Sequence, residues 1–268
     1  MTGRRQRLLV TGAASGIGAA LRTQLLEQGH EVIGFDIHPA DGILRCDLAD
    51  DVSIVAATGR VQAPLDGIAH VAGLPGTAPP RRIAAVNLLA VRRLTGLLLP
   101  LCTQAASISI VSSVTAHRCH WSDERSDAIL AGSDQSILDL FADLEGPEAY
   151  AASKRLVNRW ASLAAAQLLP KAIRVNAVSP GPVETPILKD FEESMGASRI
   201  QAAAGIVGRH GYPEEIAATL AFLLSPASSW VNGVNIACDG GFSNARAMAP
   251  APHAPSVLTI SSEGGSCN

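Results

Sequence analysis

The chain alternates between short apolar runs and longer stretches in which apolar residues recur every three or four positions. Arg7–Thr11 is a compact apolar run that ends in the Gly-rich stretch 12–18. A helical pattern follows through Leu21, Leu25 and Leu26 to Gly29, and a second apolar run covers Glu31–Asp36. Strand, Gly-rich turn, helix and strand in that order predict the βαβ unit of a parallel sheet. The alternation continues, with strands predicted at 42–46, 67–72, 106–111, 173–178 and 233–237. Helices are predicted at 51–61, 82–98, 149–168 and 214–224. About seven strands with intervening helices predict the α/β class: a doubly wound, Rossmann-type parallel sheet. One domain is expected over residues 1–243, with no internal repeat of solenoid type.

Two segments break the alternation. Residues 118–146 are acidic and place Ile137, Leu140, Phe141 and Leu144 at helical spacing, which predicts a short amphipathic helix packed over something. Residues 244–268 are rich in Ala, Pro, Ser and Gly and are expected to form a loose tail. Within that tail, residues 257–260 could pair with a sheet edge or a partner.

Composition narrows the function classes. A chain of 268 residues that is 47% hydrophobic can fill one large core. Its net charge is -3 with both signs intermixed, which is not a nucleic-acid footprint. The five cysteines, at 46, 102, 119, 238 and 267, are scattered and lack CxxC spacing, so they read as reduced intracellular thiols. His117 and His120 flank Cys119, yet the chain has no HExxH motif or tight ligand cluster, and no metal is expected. No secretory leader and no run of 18 or so apolar residues stands out, so no membrane role is expected and the expected location is cytoplasmic.

The first candidate chemistry lies in the turn Thr11-Gly12-Ala13-Ala14-Ser15-Gly16-Ile17-Gly18. Glycines let a backbone turn tightly and approach a pyrophosphate, and the helix that starts there offers free N–H groups. The turn sits between a predicted strand and a predicted helix, the context that a dinucleotide site requires. Asp36 closes the second strand, where a carboxylate can accept from both ribose hydroxyls and would repel a 2′-phosphate. Ile37 and His38 add no cation to receive such a phosphate, so NAD is expected rather than NADP. Arg22 and Arg45 are the side chains that could reverse this expectation.

The second candidate is the stretch YAASK. Tyr150 and Lys154 stand at i and i+4 on a predicted helix and share a face. A phenol is a poor base at neutral pH, and a nearby ammonium favours its phenolate. The pair can therefore serve as a proton-transfer device, with Lys154 also able to bond a ribose. Ser112 and Ser113 end another predicted parallel strand, where ligands of such sheets bind. On spacing alone, an amphipathic helix carrying a half-buried Tyr and a snorkelling Lys remains open.

These motifs together resemble the short-chain dehydrogenase/reductase family. TGAASGIG matches its TGxxxGxG turn and YAASK its YxxxK. The resemblance covers residues 7–243 and implies a catalytic set of Asn87, Ser113, Tyr150 and Lys154, with Asn87 holding a water that links Lys154 to solvent. It implies cofactor contacts from Gly12, Ser15, Gly16, Ile17 and Gly18, and from Asp36, Ile37, Asp47 and Leu48 at the adenosine end. It also implies contacts from Ala72, Gly73, Pro180, Gly181, Val183 and Thr185, together with Tyr150 and Lys154. GHEVIGFDI, GLPG, VSSVTAH and GPVETPIL resemble bacterial 3α-hydroxysteroid dehydrogenases/carbonyl reductases, and aryl-alcohol dehydrogenases share much of the pattern.

The implied activity is NAD-dependent interconversion of a secondary alcohol and a ketone on a small hydrophobic substrate, in a homodimer or homotetramer. Dehydrogenation of an aryl alcohol or cis-dihydrodiol, reduction of a 3-oxoacyl group, and nucleotide sensing without catalysis remain the other readings. Two departures from the family pattern stand out. His70 occupies the position of the first Asn of its NNAG segment, and residues 114–149 make a long gap between Ser113 and Tyr150. The insertion at 118–146 is expected to form a substrate lid.

Overall fold

The computed structural model describes residues 4–248. The expected tail therefore lies outside the described residues from 249 onward, including residues 257–260 and Cys267. Seven parallel strands form one sheet in the order β3-β2-β1-β4-β5-β6-β7. They are β1 Arg7–Thr11, β2 Glu31–Asp36, β3 Ile43–Arg45, β4 Leu65–His70, β5 Cys102–Val111, β6 Arg174–Pro180 and β7 Asn235–Cys238. The helices between them are α1 Gly16–Glu27, α2 Asp51–Thr58, α3 Pro80–Ala84, α4 Ala90–Leu98, α5 Asp123–Ala131 and α6 Asp134–Ala142. After these come α7 Gly146–Leu168, α8 Leu188–Met195, α9 Ala197–Val207, α10 Pro213–Leu224 and α11 Phe242–Ala247.

The doubly wound form follows from side-chain alternation. In β1, Leu8 and Val10 face one core with Leu21, Leu25, Ile216 and Leu220, while Leu9 faces the other. That second core holds Ile68, Leu88, Leu94, Ile108, Leu156 and Val175. Burying each such side chain contributes about 1.5–3 kcal/mol, so the chain is held by both faces of the sheet at once. The strand order reverses between β1 and β4, which opens the crevice at the carboxyl edge where the β1–α1 turn lies.

Pro80–Leu101 is long and apolar enough to cross a membrane by length and composition, which corrects the expectation that no stretch reaches that level. Its role here is that of a core helix, with 61% of the window buried. His70 has a structural use as well. It is buried and its Nε2 lies 3.0 Å from the Thr95 hydroxyl, tying β4 to α4. Burial pushes its pKa down to about 3, so it is neutral.

The insertion forms two helices, not one. Ser122 and Ser133 cap them, each accepting from a backbone N–H three residues on. The apolar residues Ile137 and Phe141 are fully buried in the core with Ile83, Ala84 and Ala149, and α6 packs on α3 while α5 packs on α7. Ion pairs fasten the outer side: Arg155 and Arg159 to Asp123 and Asp127, Arg81 to Asp139, and Arg93 to Asp134. Of residues 118–146, only Arg118 and His120 line the large cleft.

Candidate active site

The cleft lies at the carboxyl ends of β4, β5 and β6 and has a volume of about 1240 Å³. Its floor is built by the element that carries Tyr150. Gly146 and Pro147 start α7, and Glu145 and Glu148 form a reciprocal capping box there. This fixes the first turn, so Tyr150 and Lys154 point from one face into the crevice. Tyr150 is 5% exposed and lines the cleft beside Ser113. The Lys154 ammonium donates to the Val111 carbonyl at 2.9 Å and lies 5.7 Å from the centre of the Tyr150 ring. Ser113 Oγ accepts from the Thr115 N–H at 3.1 Å, which holds the hydroxyl at the end of β5.

Electrostatics here differ from the expectation that Lys154 depresses the phenol. Burial pushes Tyr150 up to about 12, and the Ser113 side chain opposes that rise without overcoming it. Burial also brings Lys154 down to about 8. Desolvation penalises the charged form of each group, and it dominates for both because both are enclosed.

Asn87 sits in a π-helical turn, Ala85–Leu89, a local irregularity frequent at functional sites. Its side chain is 2% exposed and bridges two elements. Oδ1 accepts from the Leu74 N–H at 2.7 Å, while Nδ2 donates to the Leu74 carbonyl at 3.0 Å and to Ser153 Oγ at 3.1 Å. Ser153 Oγ in turn donates to the Tyr150 carbonyl at 2.8 Å. The side-chain amide thus joins the loop after β4 to the helix of Tyr150. Both of its N–H groups are used in doing so.

Beyond these four residues, the crevice has the form of a dinucleotide cradle. A Cβ on Gly18 would lie 2.0 Å from the Gly12 carbonyl oxygen, so only glycine lets α1 start this close to β1. Ser15 precedes α1 without capping it by its side chain, which leaves the helix N–H groups facing the turn. Thr11 Oγ1 accepts from the N–H groups of Val71 and Ala72 at 3.0 and 3.1 Å, drawing the segment 71–73 beside the turn. Gly16 meets Thr185 on the other side, where an added Cβ would come within 3.2 Å of Cγ2. At the far end, Asp36 accepts from the Ala14 and His38 N–H groups, both at 3.0 Å, and keeps lone pairs for further donors. Arg22 is engaged by the Asp41 carbonyl at 2.8 Å. Asp47, next to Leu48, pairs with Arg82 at 3.3 Å. The chemistry of this donor set fits a nicotinamide dinucleotide.

Not all expected site residues share one cavity. Ile17, Gly73, Ser113, Tyr150, Lys154, Pro180, Gly181, Val183 and Thr185 line the cleft. Gly12, Ser15, Gly16, Gly18, Asp36, Ile37, Asp47, Leu48, Ala72 and Asn87 lie outside its lining, and of these the glycine turn and the ends of β2 and β3 continue the crevice along the sheet edge. The reading of the sequence missed α8 and α9, which supply Phe191, Met195, Ile200 and Ile206 to the cleft. Phe191 stacks on Tyr150, with ring centres 5.2 Å apart and planes tilted by 58°. The available signal was Phe191 and Met195 at i and i+4, with Gly196 and Gly208 bracketing α9. Also missed were Phe242, Ser243, Asn244, Arg246 and Ala247 on α11.

Comparison with known proteins gives two family matches. A profile described as the NAD dependent epimerase/dehydratase family matches residues 8–179, and one described as enoyl-(acyl carrier protein) reductase matches residues 135–243. Coniferyl-alcohol dehydrogenase of Pseudomonas sp. strain HR199 is 33% identical over 249 residues, covering 89% of this chain and 97% of that protein. The 3-alpha-hydroxysteroid dehydrogenase/carbonyl reductase of Comamonas testosteroni is 31% identical, covering 87% and 95%. The crystal structure of 3-alpha-hydroxysteroid dehydrogenase from Pseudomonas sp. B-0831 complexed with NADH superposes with a TM-score of 0.80. It is 32% identical and covers 91% of this chain and 98% of that one.

Proposed function

The chain belongs to the short-chain dehydrogenase/reductase family and is an oxidoreductase of CH–OH groups, and we propose that it uses NAD to interconvert a hydrophobic secondary alcohol and its ketone. The observation that carries this reading is the buried Tyr150 phenol. It lines the cleft beside Ser113 and is roofed by Phe191, with Lys154 one turn along the same helix. Asn87, Ser113, Tyr150 and Lys154 are the residues assigned to catalysis and its support.

A bound nicotinamide supplies the hydride acceptor or donor. The chain's residues handle the proton and the geometry. Tyr150 Oη donates its proton to the substrate oxygen in reduction and takes it back in oxidation. Ser113 Oγ steadies the same oxygen. Lys154 is held in place by Val111, with its charge near the phenol and available to a ribose hydroxyl. The apolar walls from Ile187, Leu188, Phe191 and Met195 exclude water and suit a flat, bulky substrate such as a 3α-hydroxysteroid. Asp36 favours NAD by repelling a 2′-phosphate. An aryl-alcohol substrate is the second reading, and the coniferyl-alcohol dehydrogenase relative favours it. The proposal extends to a homodimer or homotetramer, and exposed Phe222, Trp230 and Val234 near β7 support it.

The test is reduced-nicotinamide absorbance with NAD and NADP in parallel, against androsterone, coniferyl alcohol, a cis-dihydrodiol and cyclohexanol. Turnover with NAD is expected, and Tyr150→Phe should bind cofactor but lose nearly all turnover. An NADP preference would overturn the reading of Asp36. A Tyr150→Phe variant of undiminished rate would overturn the reading of Tyr150.

A further inference from the structure

We propose that the substrate carries a carboxylate at the end remote from its reacting carbon, and that Arg118 and Arg246 receive it. This rests on the reading above that Tyr150 works on a hydrophobic alcohol. The argument starts from charge. The cleft is lined by Lys154, Arg118, Arg246, His117 and His120, and among the described residues neither Asp nor Glu lines it. The chain as a whole has more acids than bases, 24 against 21, so the bias is local.

Many of the other arginines already have an acid partner, and Arg118 and Arg246 are set apart from the remaining unpaired ones by lining the cleft. Arg7, Arg81, Arg82, Arg93, Arg155, Arg159 and Arg209 each pair with an Asp or Glu. Arg118 and Arg246 have no carboxylate partner among the described residues, although both are exposed and free to reach one. They belong to the β5–α5 connection and to α11, not to the β1–α1 turn that faces a diphosphate. Lys154 is already committed to the Val111 carbonyl on the floor.

Much of the remaining lining is apolar, with Ile187, Leu188, Phe191, Met195, Ile200 and Ile206 among it. Such walls leave a charge field less screened than open solvent does. A ligand matched to this cleft is apolar along most of its length and negative at one end. The guanidinium fork suits a carboxylate, with two parallel N–H donors to two oxygens.

The test compares acids with their own methyl esters: 4-hydroxycyclohexanecarboxylate and a 3α-hydroxycholanic acid, each beside its ester, with NAD. The wild type should favour acid over ester in kcat/KM through a lower KM, and added salt should erode the preference. Arg118→Gln and Arg246→Gln should each reduce the acid-to-ester ratio on the order of fivefold, the scale of one exposed ion pair. Both substitutions are at exposed positions, and melting curves confirm that the variants fold. Equal use of acid and ester by the wild type, or a ratio unmoved in both variants, would overturn this proposal alone. Silence toward every alcohol would overturn the reading of Tyr150, and this proposal with it.

Discussion

Substituting Gly146 by Ala tests whether the start of α7 sets the position of Tyr150. An added Cβ on Gly146 would lie 2.0 Å from the Gly76 carbonyl oxygen, where ordinary contact begins at 3.4 Å. The two segments must therefore part by about 1 Å or more. Both contacting groups are backbone, so no flexible side chain can yield. Gly76 is held from its own side: Leu74, two residues earlier, makes two hydrogen bonds to Asn87. The displacement falls on the first turn of α7, and Tyr150 stands about 6 Å further along that helix. A misplacement of about 1 Å at a reacting group lowers rate about 100-fold. Gly146→Ala should therefore lose about 10- to 100-fold in kcat while cofactor affinity stays close to wild type, because the Gly12–Gly18 turn is untouched. Overpacking should also destabilise the fold by about 1–3 kcal/mol. Gly96→Ala is the control. Gly96 lies exposed on α4 with nothing within 4 Å of an added Cβ, so it should keep full activity and gain about 1 kcal/mol of stability. Steady-state kinetics, cofactor titration and thermal melts read all three quantities. A Gly146→Ala enzyme with wild-type kcat would refute the reasoning.

Two further outcomes follow from the charges. Alcohol oxidation needs a phenolate to accept the proton, and burial holds the Tyr150 phenol up to about 12. Initial oxidation rates should rise with pH from about 6, close to tenfold per unit, and flatten as Lys154 loses its charge above about 8, whereas ketone reduction stays level through neutrality. An oxidation profile already flat from about pH 6 to about pH 9 would contradict this assignment. On the flank, Asp127 accepts two bonds from Arg159 at 2.6 and 2.7 Å, and these hold its carboxyl below the usual range. A depressed carboxyl stabilises the fold at neutral pH and loses that contribution as pH falls through its lowered value. Asp127→Asn should lower Tm by about 1–2 °C at neutral pH and low salt, with the gap closing in high salt and below about pH 4. An equal Tm for the two proteins at neutral pH and low salt would show that this pair does not hold α5.

The features legible in the sequence were those with a local cause. β1 and β2 have the predicted bounds because their apolar runs end in Gly or Asp, residues that punctuate a strand by themselves. The glycine turn and the Tyr150–Lys154 spacing were legible for the same reason, since backbone approach and helix periodicity act over a few residues. The start of β5 at Cys102, earlier than the predicted 106, was not legible, because Cys102 pairs with Leu65 across a register shift only once β4 is beside it. The insertion shows the boundary most clearly. Its apolar spacing stated that one face would be buried, and Ile137 and Phe141 are. Which residues bury them was not legible, because Ile83 and Ala84 on α3 and Ala149 on α7 come together with the insertion only in the folded chain.

The sign of the Tyr150 shift was hidden for a related reason. Spacing in the sequence shows an ammonium four residues from a phenol, which argues for a depressed pKa. It does not show the walls. Phe191 on α8 and Ser113 at the end of β5 enclose the phenol, and the Val111 carbonyl takes one of the three N–H donors of the lysine. Enclosure acts on both groups in the direction of neutrality, so a pair that looks pre-ionised in one dimension is neutral-leaning in three. A phenol kept protonated is suited to giving its proton to a carbonyl oxygen. Taking a proton from an alcohol then requires a higher pH or an added positive charge in the cleft, and that asymmetry is what the two pH profiles measure.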